Sequence, residues 1–232
     1  MLFGPYELLL DNPAGFFRLT VLVVLSLVVA IRVHEFSHAL VAVGLGDNTA
    51  RRLGRLSLNP KRHLDPNGTV MMMLAGFGWG KPTPVDPRRL AHGHTGTALV
   101  AGAGPLSNLI VAFLLALPIK LGLLDSTRPT LDQAAHVMTG GFREGASDVV
   151  GLVIFFYLLL AVFNLIPLSP LDGSRVLAGL VPSGRATDYA RLQQYGPAIL
   201  VTLIMLDYFV SIGLLWRVIG PVVRGLTSVA TG

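Results

Sequence analysis

The sequence predicts an all-α polytopic membrane protein of about four core transmembrane helices, with a small membrane-associated β or hairpin insertion. Three observations lead there. Of the 232 residues, 52% are hydrophobic and only 13% charged, where a soluble domain carries about 25% charged. Four stretches hold the roughly 20 apolar residues that a helix needs to cross a hydrocarbon core. Between them the excess of basic residues alternates from loop to loop, as cytoplasmic and outer loops do.

The expected spans are about 16–45, 95–124, 149–168 and 197–219. A fifth apolar piece, within 69–84, is glycine-rich and too short to span, so it reads as a re-entrant or interfacial hairpin. No repeat or appended soluble domain is evident, and residues 1–232 read as one membrane domain. The first charge is Glu7 and the first basic residue Arg18. A cleavable signal peptide wants a basic start, so the first apolar segment is expected to stay.

Orientation follows from the loops. The first carries eight Lys and Arg, among them Arg51, Arg52, Lys81 and Arg88, against Asp47, Asp65 and Asp86. In the second, Arg128 and Arg143 are outnumbered by Asp125, Asp132, Glu144 and Asp148. The third returns to a basic excess. This pattern puts both termini outside and the first and third loops in the cytoplasm. The net charge of +5 therefore reads as a topology signal, and no nucleic-acid partner is expected. With no cysteine, disulfides, thiolate metal sites and cysteine nucleophiles are excluded.

Chemistry enters in the first span, at His34-Glu35-Phe36-Ser37-His38. Positions four apart on a helix share a face, so both imidazoles reach one ion. Zinc suits two histidines and a carboxylate, and Glu35 lies beside that face, placed to take a proton from water held by the metal. The bland alternative is two helix histidines at a membrane interface, but ionisable groups inside a span are costly and usually functional.

A catalytic site needs a third ligand. Val41 and Gly44 stand where the extended soluble motif would have glycine and histidine, and Glu144 falls in an outer loop. Asp172, His63, His92, His94 and His136 remain. Counting about 1.5 Å per residue from Phe16 puts His34 roughly 27 Å along its span, near the cytoplasmic end. The third span returns to that depth just before Asp172, which makes Asp172 the preferred ligand. His136 falls on the other side. His63, His92 and His94 lie on the right side but in polar loop sequence, and stay as a minority option. Before Asp172, Pro167 and Pro170 stop the helix; non-helical backbone at membrane depth fits a water-lined cavity, and Gly173 allows a turn directly after the ligand.

His-Glu-x-x-His in an early span, with Asn164-x-x-Pro167-x-x-Pro170-x-Asp172-Gly173 in a later one, resembles the site-2 protease family of intramembrane zinc metalloproteases. The likeness runs from about 16 to 180. The stretches Gly78-Trp79-Gly80-Lys81-Pro82 and Gly104-Pro105-Leu106-Ser107-Asn108 are similar to its compact bacterial branch, which implies a bacterial cell membrane with the active site near the cytoplasmic side. The resemblance implies one Zn2+ per chain on His34, His38 and Asp172, with Glu35 as general base. Asn164 would stabilise the oxyanion, and Asn108 would bind the substrate backbone unless it serves only helix packing. The expected partners are transmembrane protein substrates and the lipid bilayer; the family's PDZ or nucleotide-sensing domains have no counterpart here. Rival readings are a zinc transporter or sensor, which would give the intramembrane Asp207 a role, and a pseudoprotease scaffold.

Overall fold

In a computed structural model of the chain, the described residues are 12–57, 80–125, 142–210 and 213–232, with the isolated positions 10, 59, 65 and 68. They form helices α1 (Pro13–Gly44), α2 (Thr49–Arg52), α3 (Gly93–Leu115), α4 (Leu117–Lys120), α5 (Phe142–Asn164), α6 (Asp172–Ala178), α7 (Ala186–Gln194), α8 (Gly196–Val210) and α9 (Leu214–Thr231).

The start of α1 is written in its first residues: Asn12 Oδ1 accepts the Gly15 N–H at 2.9 Å and Pro13, which has no N–H to leave unpaired, opens the helix. Among the described residues three helical stretches are long and apolar enough to cross a membrane, namely Pro13–Gly44, Gly93–Lys120 and Arg143–Asn164. Helix α3 packs against α1, α5 and α6, and α1 also meets α5. Small residues let these apolar helices approach closely, since lipid gives no hydrophobic drive to press them together. Ala30 of α1 and Ala112 of α3, both fully buried, share a core with Ile154 and Leu158 of α5 and with Ile219 and Val223 of α9. A smaller cluster joins Leu19 to Leu152 and Phe156. Exposed Val21, Leu25, Leu106 and Ile110 face outward as lipid-facing residues do.

Three expectations differ from what the described residues show. The fourth span, about 197–219, is broken. Helix α8 ends at Val210 and α9 begins at Leu214, with Gly213 at φ +67° between them, a conformation that favours glycine. Asp207 explains the break. Its carboxylate accepts the N–H groups of Leu214 at 2.6 Å and Leu215 at 2.8 Å, supplying the orphan donors at the start of α9 with an anion. Four core spans are therefore not confirmed among the described residues. The β or hairpin insertion expected at about 69–84 is not supported among the described residues, where no strand occurs and 81–86 run without helix or strand; 69–79 lie outside the described residues. The third span also ends earlier than 168, at Asn164, as the following prolines require.

Two anchors place the 81–92 segment beside the C-terminal end of α1. Asp47, fully buried, accepts the Thr49 N–H at 2.9 Å, the Thr49 hydroxyl and the Asp86 N–H at 2.7 Å. The Ala91 N–H donates to the Leu45 carbonyl at 2.8 Å. Burial alone would raise the Asp47 pKa. The hydrogen bonds from Thr49 and Asp86, with the Arg89 charge nearby, overcome it and hold the carboxyl below its ordinary value.

Candidate metal centre

His34 and His38 stand one turn apart on α1, both buried, with ring planes 89° apart and centroids 4.6 Å apart. Asp172 opens α6. Its Oδ2 lies 2.9 Å from His34 Nε2 and 3.2 Å from His38 Nε2. The preceding loop is shaped to deliver it. Gly173 sits so close to the Leu165 carbonyl that an added Cβ would come within 2.2 Å of its oxygen. Helix α7 braces the loop: Gln193 Oε1 accepts the Ser169 N–H at 2.7 Å and Gln193 Nε2 donates to the Pro167 carbonyl at 3.2 Å. The Tyr189 hydroxyl donates to the Ser174 carbonyl at 2.7 Å. Burial would raise the Asp172 pKa, but the two imidazoles hold the carboxyl below the usual carboxylate range.

The donor set suits zinc. Tetrahedral bonds of about 2.0–2.1 Å separate neighbouring ligand atoms by about 3.3 Å, close to the observed spacings, and the three donor atoms all lie within 4.8 Å of one another. Space exists for the ion as well. A Cβ built on Gly104 of α3 would lie 2.5 Å from His38 Nε2 and 2.7 Å from His34 Nε2, so glycine keeps open a gap that any other residue would fill. The outer ring nitrogens are also engaged by α3: His38 Nδ1 lies 2.6 Å from the Val100 carbonyl oxygen, and His34 Nδ1 lies 3.4 Å from the Asn108 amide.

Of the other candidate ligands, His92 and His94 are exposed at the start of α3, while His63 and His136 lie outside the described residues. Glu35 is not among the three donors. Its Oε2 accepts the Thr83 N–H at 2.8 Å and the Thr83 hydroxyl at 2.7 Å. Asn164 ends α5 with its Nδ2 donating to the Leu160 carbonyl at 2.9 Å, which leaves its second N–H uncommitted. Asn108 is fully buried. Thr83 and Gly104 carry no ionisable group, and their sequence signals are the flanking Pro82 and Pro84 and the i, i+4 spacing of Gly104 with Asn108.

A buried His-His-Asp set on apolar helices, with a glutamate between the histidines, defines a metalloprotease. Known proteins agree. The chain is 39% identical to YwhC of Bacillus subtilis (strain 168), provisionally named a zinc metalloprotease, over 184 residues that make up 78% of each chain. Rip2 of Mycolicibacterium smegmatis, named in the same provisional way, is 29% identical over 84% of this chain and 70% of its own. Rip2 of Mycobacterium tuberculosis (strain H37Rv) is 30% identical over 72% of this chain and 60% of its own. No family model and no solved structure matches. The chain belongs to the site-2 protease family of zinc metalloproteases.

Proposed function

We propose that this protein is an intramembrane endopeptidase of the bacterial cell membrane, a multi-pass protein that hydrolyses peptide bonds in or near transmembrane segments of other membrane proteins. The observation that carries the proposal is the meeting of His34, His38 and Asp172 beside the end of an apolar helix long enough to span. The basic first and third loops favour an active site near the cytoplasmic side.

His34, His38 and Asp172 would hold the ion, and the chemistry a zinc ion would supply there is polarisation of the scissile carbonyl and a water pKa lowered toward about 7. Glu35 takes the proton from the attacking water and hands it to the leaving amine, with Thr83 fixing one carboxylate oxygen so that the other faces the reaction. Asn164 turns its uncommitted N–H toward the developing oxyanion, a donor whose loss typically costs about 100–1,000-fold in rate. The transporter reading would give Asp207 a role, and the contacts of that carboxylate are with the start of α9.

Cleavage of tagged single-span proteins in liposomes tests this reading. Wild type cuts within or beside the span and stops when chelator removes zinc, while Glu35→Gln keeps its zinc and does not cut. Equal cleavage by Glu35→Gln, or zinc flux across the vesicle without cleavage, would overturn it.

A further inference from the structure

We propose that Asn108 is a positioning residue for the metal centre: its carboxamide oxygen accepts the His34 Nδ1–H and so presents His34 Nε2 to the ion as a lone pair. The proposal deepens, and rests on, the zinc reading of the site.

His34 Nε2 is the nitrogen that faces Asp172, at 2.9 Å. A ligating nitrogen carries no proton, so the neutral ring keeps its hydrogen on Nδ1 and needs an acceptor there. Directly behind the ring, 3.4 Å from Nδ1, lies the Asn108 carboxamide. With Nδ2 toward the ring, two donors face each other, and Oδ1 of the same amide is buried with no hydrogen-bond partner. A half-turn of the amide about its Cβ–Cγ bond exchanges the two atoms in the same volume. Oδ1 then accepts the Nδ1–H, which turns a donor–donor clash at the ring into a hydrogen bond, while Nδ2 takes the position in which Oδ1 has no partner. Only a ring ligating through Nε2 makes that orientation the better one.

Helix α3 treats the second imidazole in the same way. His38 Nδ1 donates to the Val100 carbonyl at 2.6 Å. Val100, Gly104 and Asn108 are spaced i, i+4, i+8, so one stripe of α3 lies along the two histidines. Its ends hold the two outer nitrogens, and its middle residue, Gly104, leaves the gap between the two Nε2 atoms. Metal-ligating histidines are commonly fixed by such outer partners, whose loss costs about 10–100-fold in affinity. Asn108 is fully buried, within reach of the His34 ring.

Zinc competition against a chelating dye, with the full-length protein in detergent, tests the proposal without recourse to activity. Asn108→Leu, close in volume but without an acceptor, and Asn108→Ala are both expected to weaken zinc binding by about 10–100-fold. Asn108→Asp, which keeps an acceptor, should bind within about threefold of wild type or more tightly. Wild-type affinity in the leucine and alanine variants, or an aspartate variant as weak as leucine, would overturn the role of Asn108. Wild-type protein that binds no zinc would overturn the metal reading itself, and this role with it.

Discussion

Thr83 grips one oxygen of Glu35: its N–H and its hydroxyl both reach Oε2, at 2.8 and 2.7 Å. Thr83 stands between Pro82 and Pro84, neither of which has an N–H to offer, so the segment presents a single backbone donor and aims it at the proposed base. Oε1 has no hydrogen-bond partner among the described residues. The arrangement divides the carboxylate into an anchored oxygen and a working one.

Removing the hydroxyl should loosen the working oxygen without touching the metal ligands. Thr83→Val is expected to lower kcat about tenfold, the scale of a small misplacement of a reacting group, with KM and zinc content near wild type. Thr83→Ser should regain most of the rate. Steady-state kinetics on a reconstituted single-span substrate check this; a KM effect alone would mean that the residue serves substrate binding.

Gly104 makes room for the ion, so Gly104→Ala should lose zinc. The added methyl would sit 2.5 Å from His38 Nε2, inside van der Waals contact. Gly102→Ala is the control, because its nearest neighbour would be Val176 Cγ2 at 3.8 Å. Metal analysis of the purified variants should find zinc depleted in the first and unchanged in the second.

These residues also mark how far the sequence could be read. The histidine pair was legible from helical spacing alone, and Asp172 from charge alternation and span counting, because ionisable groups in an apolar chain have few reasons to be there. Helices α1, α3 and α5 were legible from apolar length. What stayed hidden depends on direction and on backbone. The break before α9 rests on one glycine torsion and on Asp207 reaching forward to Leu214 and Leu215, and an apolar count runs straight across both. Which way Asn108 faces is decided by how α3 leans on α1, and Thr83 acts partly through a backbone N–H that every residue but proline possesses.

Asp207 caps α9 from outside that helix, so Asp207→Ala should lower stability by about 1 kcal/mol, as loss of a helix cap does, while zinc affinity and cleavage stay unchanged. Asp207→Asn, which keeps an acceptor oxygen, should lose less. Thermal midpoints in detergent measure the difference. A loss of zinc from Asp207→Ala would instead tie this residue to the metal.

Asp47 predicts a pH dependence. Its carboxyl is held below the ordinary value in the folded protein, so near that value the unfolded chain binds more protons and stability rises with pH. The contribution is complete above about pH 4 and is lost as pH falls through the folded pKa. Asp47→Asn should therefore be less stable than wild type at neutral pH by about 2 kcal/mol, and the gap should close under acid. Midpoints from about pH 3 to 7 check this; a gap that widens toward acid would contradict it.

Zinc stoichiometry in Asp172→Ala tests the central claim most directly, since the metal centre exists only if two distant parts of the chain meet on one ion. Purified wild type and Glu35→Gln should each carry about one zinc per chain, and Asp172→Ala close to none after dialysis at a zinc concentration that keeps wild type loaded. A full equivalent of zinc retained by Asp172→Ala would show that α6 does not complete the site.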